Sequence, residues 1–134
     1  MYKRQQEFYA IAKSRLNSGG VLVTQSGPAG LLNYTECFTT IFKTLGTIFA
    51  YTTAVQVHIP AFQTLWGFTI ASDSPFPNVS EREVDDLITS RLSSPLKYYD
   101  GVSHTNLLAL PKFQRDGLES EVRINKDSDP VFML

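Results

Sequence analysis

Apolar and polar positions along the chain predict strands and helices in alternation. An apolar β-prone run at 21–24 follows two glycines and is typical of a buried parallel strand. Apolar residues recur every three or four positions over about 34–49, which predicts an amphipathic helix. Alternation over 51–59 and 65–71 predicts two further strands. A helix over 3–16 precedes all of them.

The first strand, the helix and the second strand predict one β-α-β unit. Its crossover is expected to be right-handed, so both parallel strands end at the same edge of the sheet. The short loop after Pro60 makes strands 51–59 and 65–71 antiparallel neighbours. The strand at 21–24 then lacks a neighbour on one flank, and a bare apolar strand edge invites association.

Helix starts are predicted from capping patterns. Ser80 and Glu83 have the spacing of a capping box, in which a side chain and a backbone group bond each other reciprocally. Asn33 and Glu36 have the same spacing before the helix at 34–49.

Composition and charge exclude several classes of function. Twelve basic and thirteen acidic residues give a net charge of -1, without a Lys/Arg cluster that would favour nucleic acid or membrane. Cys37 is the only cysteine, so it forms no internal disulfide and is interpreted as a small buried hydrophobe. His58 and His104 lack a second ligand at metal spacing, so we expect structural roles and no metal. The absence of a signal-like N-terminus and of a long apolar run predicts a cytoplasmic protein.

Gln25 is the leading candidate for a ligand contact. Ligands of open α/β sheets bind outside the carboxyl ends of the strands, where Gln25 and the loop 60–65 are expected to meet. The Gln25 amide offers two donors and an acceptor to a small polar ligand. The alternative is a strand-end amide that satisfies local backbone groups. The turn at 26–30 lacks the Lys-Ser/Thr ending of a P-loop and is interpreted as a plain turn.

An ordered set of motifs points to a known family. The set comprises Gly19-Gly20, Val23-Thr24-Gln25, Ser26-Gly27-Pro28-Ala29-Gly30, Trp66-Gly67-Phe68, Ala71-Ser72-Asp73, Leu96-Lys97-Tyr98-Tyr99-Asp100 and Leu110-Pro111-x-Phe113. Together these residues resemble the C-terminal half of a polyamine aminopropyltransferase, a member of the spermidine/spermine synthase family. The turn at 24–30 and Trp66-Gly67-Phe68 resemble in particular those of plant-type thermospermine synthases.

The resemblance implies an α/β protein, the C-terminal half of a Rossmann-like, methyltransferase-type fold. It implies a mixed sheet with a terminal antiparallel hairpin and a domain over 1–118. Scattered charges and few apolar residues predict a flexible tail over 119–134. The family moves an aminopropyl group from decarboxylated S-adenosylmethionine to spermidine or putrescine. The attacking amine must first lose its proton, so the reaction needs a general base.

The resemblance also implies that this chain is a fragment. The family's glycine-rich cofactor loop and Asp-x-x-Asp-Pro motif precede the segment that matches Phe8-Tyr9, and neither occurs here. We therefore expect no catalytic residue and no bound cofactor in this segment, and no turnover by it alone. The expected partners are a polyamine and either the missing N-terminal half or a full-length synthase. Family members are often homo-oligomers.

Three residues are predicted to bind substrate on the basis of the resemblance. Gln25 matches a family glutamine near the amine channel. Phe62 stands where the family usually has a substrate-contacting tyrosine, so the aromatic wall is kept and a hydroxyl is lost. Trp66 is expected to line the pocket or the core. Two alternatives stay open: a non-catalytic assembly or regulatory domain that pairs with a full-length synthase, and a methyltransferase remnant.

Overall fold

The computed structural model describes residues 5–132 and contains the predicted succession of helices and strands. The elements in chain order are α1 (Gln6–Ser14), β1 (Val21–Pro28), α2 (Phe38–Gly46), β2 (Tyr51–Ile59), a 3-10 turn (Pro60–Phe62), β3 (Thr64–Ser72), α3 (Glu81–Arg91), α4 (Gly101–Leu108) and α5 (Lys112–Ser120).

The strand order in the sheet is β1-β3-β2, with β3 antiparallel to both neighbours. The predicted hairpin of β2 and β3 is confirmed, and β1 and β2 run in the same direction. They are not neighbours, however, because β3 returns into the gap between them. The predicted mixed sheet is therefore, within residues 5–132, a sheet of antiparallel pairs only.

Helix α2 packs across one face of all three strands. Gly67 of β3 makes this close approach feasible, because a Cβ built there would lie 2.3 Å from the Cδ2 atom of Phe38. Phe38 itself is fully buried with Ala29, Ala54 and Leu110. The glycine of the Trp66-Gly67-Phe68 motif thus has a packing role: it admits an aromatic ring of α2 onto the sheet.

The capping box predicted for Ser80 and Glu83 is confirmed, but the one predicted for Asn33 and Glu36 is wrong. Ser80 and Glu83 exchange both hydrogen bonds at the start of α3. Residues 31–37 instead form turns, and α2 begins after Cys37, which makes no side-chain cap. A distant carboxylate contacts this helix start.

That carboxylate belongs to Glu121, which follows α5 and is buried. Its Oε2 atom accepts hydrogen bonds from the hydroxyls of Thr39 at 2.6 Å and Thr40 at 3.2 Å. Arg123 donates to both carboxylate oxygens, at 2.9 and 2.6 Å. Burial raises the pKa of Glu121, but the hydrogen bonds from Arg123 and Thr39 outweigh it and lower this pKa from 4.5 to about 2.

Residues beyond Glu121 also contact the helices. The backbone N–H of Gln6 donates to the Asn125 carbonyl at 2.8 Å, and Val131 packs against the cluster around α2. The domain boundary at 118 and the flexibility of 119–134 stay predictions.

The Glu121 cluster predicts a specific pH dependence of stability. The pKa of the Glu121 carboxyl is 4.5 in the unfolded chain and about 2 in the folded protein. The ionised carboxylate therefore contributes its full stabilisation of the fold above pH 4.5. This stabilisation is lost as pH falls through about 2, and the pKa difference corresponds to about 3 kcal/mol. We expect Glu121→Gln to lower the free energy of unfolding at pH 7, with a difference from the parent that shrinks on acidification. Urea unfolding at several pH values measures this, with the exposed Glu119→Gln as the control; equal effects of the two variants would contradict the role of Glu121.

The close contact at Gly67 predicts that a methyl group is not tolerated there. Gly67→Ala should cost about 1–3 kcal/mol of unfolding free energy, because Phe38 must move. Gly46→Ala is the matched control, since its nearest neighbour would be the Thr52 hydroxyl oxygen at 3.8 Å. Thermal unfolding of both variants tests this, and equal melting temperatures would contradict it.

Candidate functional site

Gln25 lies at an irregularity of β1. It pairs with Phe68, whereas Gly27 pairs with Gly67, so Ser26 is an extra residue in the bulge. The buried hydroxyls of Ser26 and Thr69 are 2.7 Å apart and fix this bulge. Gly27 adopts a φ of 94°, which favours glycine. The bulge therefore fixes the backbone directly after Gln25, whose side chain is exposed.

Gln25 and Trp66 project from the same face of the sheet. Gly67 faces α2, since its missing Cβ would contact Phe38. Side chains alternate along a strand, so Trp66 and Phe68 face away from α2. Gln25 is the cross-strand partner of Phe68 and shares its face. Gln25 and Trp66 therefore share the face of the sheet that is turned away from α2, whereas the predicted meeting of Gln25 with the loop 60–65 stays a prediction.

Phe62 contacts Trp66 directly. Their ring centroids are 4.3 Å apart at an interplanar angle of 41°. Phe62 is 45% exposed and Trp66 only 8%, so Phe62 covers the indole and faces outward. Between them, Gln63 has a left-handed backbone, with a φ of 54°, that turns the chain into β3. All three predicted site residues therefore belong to one side of the sheet.

The indole Nε1 atom of Trp66 is buried and has no hydrogen-bond partner among the described residues. A buried donor without an acceptor costs on the order of 1–3 kcal/mol. An acceptor that reached this atom would therefore bind favourably, and a carbonyl or carboxylate oxygen would serve.

Gln114 is a buried polar residue of this region that the sequence interpretation missed. Its Nε2 atom donates to the Ala29 carbonyl at 2.5 Å and to Gln56 Oε1 at 2.6 Å. It therefore ties α5 both to the segment after β1 and to β2. The sequence shows only that Gln114 follows Pro111 by three residues, near a predicted helix start. A glutamine at such a position is usually exposed, so the sequence did not indicate its burial.

The strands that carry this site contain no ionisable carboxylate, lysine or arginine. Asp, Glu, Lys and Arg are absent from residues 16–35 and again from 44–72, which include all of β1, β2 and β3. The site can offer an amide, aromatic faces and an indole N–H. The strands themselves provide neither a carboxylate base nor a counter-charge for a polyamine.

Comparison with solved structures identifies the fold. A spermidine synthase bound to the transition-state analogue AdoDATO superposes with a TM-score of 0.72 at 20% identity, over 90% of this chain and 41% of that one. A spermidine synthase from Thermotoga maritima also gives 0.72 at 20% identity, over 90% and 40%. The fold class is therefore α/β of the methyltransferase-like kind found in spermidine synthases.

The chain is also similar in sequence to polyamine aminopropyltransferases. A polyamine aminopropyltransferase of Sulfolobus acidocaldarius is 36% identical over 127 residues, which are 93% of this chain and 41% of that protein. A thermospermine synthase of Arabidopsis thaliana is 34% identical over 129 residues, 96% of this chain and 38% of that protein. No protein-family model matches the chain.

The chain is thus homologous, over nearly its whole length, to polyamine aminopropyltransferases, as its motifs predicted. It spans about two fifths of the length of these relatives, which agrees with the predicted fragment. The roles of Gln25, Phe62 and Trp66 stay predictions.

No helix within the described residues is long and apolar enough to cross a membrane. The cytoplasmic location stays a prediction.

The contact between Phe62 and Trp66 makes fluorescence a direct probe of the site, because Trp66 is the only tryptophan. Phe62→Ala should expose the indole to water and shift its emission to longer wavelength. The unfolding free energy should fall little, since Phe62 is already half-exposed. Phe132→Ala, at a ring that is 66% exposed, is the matched control. Unchanged emission in Phe62→Ala would contradict the covering of the Trp66 indole by Phe62.

Proposed function

We propose that this chain supplies the amine-binding wall of a polyamine aminopropyltransferase site. The single observation that carries the proposal is the shared face of Gln25 and Trp66, with the Phe62 ring packed against the indole. The homology to polyamine aminopropyltransferases supports the substrate class.

Each residue has a defined part in the proposed wall. The Gln25 side-chain oxygen accepts a hydrogen bond from the amine of spermidine or putrescine. Phe62 and Trp66 provide aromatic faces for the aliphatic carbons and for the adjacent positive charge. Phe62 cannot donate the hydroxyl hydrogen bond of a tyrosine, so recognition at this position depends on shape and on the ring face.

The reactive machinery must come from outside this sheet. The nucleophilic amine needs a general base, and a polyamine needs counter-charges, whereas the three strands carry no carboxylate. Decarboxylated S-adenosylmethionine, as the family's co-substrate, would bind to the portion of the relatives that this chain does not span. We infer that the chain functions together with such a portion, in the same polypeptide or in a separate synthase.

A chimaera tests the proposal. Residues 5–132 replace the homologous segment of the Sulfolobus acidocaldarius relative, and product is measured with decarboxylated S-adenosylmethionine and spermidine or putrescine. We expect turnover by the chimaera and none by the isolated chain. Gln25→Ala and Trp66→Ala should each lower kcat/KM by about 10-fold or more, equivalent to one lost hydrogen bond or aromatic contact.

Asn106→Ala is the matched control, because Asn106 is also an exposed amide but lies on α4, outside the proposed wall. A folded chimaera without activity would contradict the proposed wall. Turnover by the isolated chain would contradict the need for a second portion. Equal losses in Asn106→Ala and Gln25→Ala would show that the amide of Gln25 has no specific role.

The phenylalanine at position 62, where the family usually has a tyrosine, favours a second candidate function. In this second function the chain is a non-catalytic domain that pairs with a full-length synthase. Loss of the tyrosine hydroxyl weakens amine recognition but leaves the surface intact. In this case the chain co-purifies with an intact synthase, and Phe62→Tyr does not raise the activity of the chimaera. A higher kcat/KM in Phe62→Tyr would instead favour the substrate-binding wall.

A further inference from the structure

Gln114 of α5 is a fully buried amide that donates both of its hydrogens towards the sheet. Its Nε2 atom donates to the Ala29 carbonyl at 2.5 Å and to Gln56 Oε1 at 2.6 Å. Its own Oε1 atom is buried and has no partner among the residues that the structure describes. The amide therefore satisfies two oxygens of other segments and leaves its own acceptor unsatisfied.

The Ala29 carbonyl fixes the orientation of this amide. A backbone carbonyl can only accept a hydrogen bond, so turning the amide over would bring Oε1 of Gln114 against the carbonyl oxygen of Ala29. Ala29 is itself fully buried, and a buried carbonyl requires a donor. Nε2 of Gln114 supplies that donor.

Ala29 joins the two strands that carry the proposed wall. Its backbone N–H donates to the Leu65 carbonyl at 2.8 Å, and Leu65 directly precedes Trp66. Pro28, one residue earlier, is the Cα partner of Trp66. The segment 26–29, which follows the site glutamine, therefore ends on a backbone contact beside the indole.

The two ends of this segment are held by different contacts. At its start, the Ser26 hydroxyl lies 2.7 Å from the Thr69 hydroxyl and fixes the bulge after Gln25. At its end, Ala29 is bonded through its N–H to β3 and through its carbonyl to Gln114. Removing the Gln114 amide therefore loosens the end that lies beside the indole, while the start of the segment stays bonded.

Gln114 lies on the face of the sheet opposite to the proposed wall. Gln56, which it contacts, is the Cα partner of Gly67, and Gly67 faces α2. Cross-strand partners share a face, so the Gln56 side chain also lies on the α2 side, where α5 packs against α2. Gln114 therefore does not touch an amine bound on the wall. Its effect on such an amine passes through the backbone of Ala29.

We propose that Gln114 is a positioning residue of the amine-binding wall. Through the Ala29 carbonyl it fixes the segment 26–29 and, with it, the placement of the Gln25 amide relative to the Trp66 indole. The inference rests on the proposed function and adds to it a residue that does not contact substrate. Small displacements of substrate-positioning groups lower the rate of a reaction, so loss of this hydrogen bond weakens the use of the amine.

Gln114→Met and Gln56→Met in the chimaera test the proposal. Gln114→Met keeps the length of the side chain but removes both donors, so Ala29 loses its hydrogen bond. Gln56→Met is the matched control, because it breaks only the other hydrogen bond of the same amide. We expect kcat/KM for the amine to fall about 5-fold or more in Gln114→Met, with a higher KM for the amine, and less than about 2-fold in Gln56→Met. The KM for decarboxylated S-adenosylmethionine should keep its parental value in both variants.

Gln114→Glu guards against misfolding of the methionine variant. Its carboxyl donates one hydrogen to the Ala29 carbonyl when it is protonated and none when it is ionised. Relative to the parent at the same pH, kcat/KM of Gln114→Glu should therefore rise as the pH falls. In the full chain, the emission of Trp66, the only tryptophan, should shift in Gln114→Met but not in Gln56→Met. Circular dichroism confirms that the variants are folded.

The outcomes separate this inference from the proposed function. In an active chimaera, parental kcat/KM in Gln114→Met or equal losses in Gln114→Met and Gln56→Met would overturn the positioning role and leave the wall intact. A ratio of Gln114→Glu to parent that does not change with pH would overturn it as well. A folded chimaera without activity would overturn the wall and, with it, the role of Gln114.

Discussion

The position of β3 between β1 and β2 is the constraint on which the rest of the structure depends. Both outer strands pair with β3 along their length, which aligns Gln25 with Phe68 and Pro28 with Trp66. The same arrangement turns Gly67 towards α2 and Trp66 away from it. A one-residue change of register would reverse both faces, burying the site residues beneath the helix.

This constraint divides the sheet into a structural face and a binding face. Phe38 of α2 packs closely at Gly67, and Glu121 accepts hydrogen bonds from hydroxyls at the start of the same helix. The opposite face presents an amide, an aromatic pair and a buried indole N–H without a partner within residues 5–132. Stability and candidate chemistry therefore depend on different side chains of the same three strands.

Secondary-structure elements that depend on residues close together in the chain could be predicted from the sequence. Alternation identified β2 and β3, and the Ser80–Glu83 spacing identified the start of α3, because each signal spans only a few residues. The insertion of β3 between β1 and β2 could not be predicted, since strand spacing does not say on which side a returning strand pairs. The Glu121 contact to Thr39 joins residues 82 positions apart, so no local spacing in the sequence indicates it. Gln114 was missed for the same reason, as its partners Ala29 and Gln56 are distant in sequence.

Hydrogen exchange of individual backbone amides tests the central position of β3 most directly. In an antiparallel sheet, every amide of a central strand donates to one neighbour or the other, whereas only alternate amides of an edge strand are bonded. Slow exchange at each position from Leu65 to Ala71, with alternation along β2, is the expected result. Uniformly slow exchange along β2 combined with alternation along β3 would contradict the strand order and, with it, the shared face of Gln25, Phe62 and Trp66.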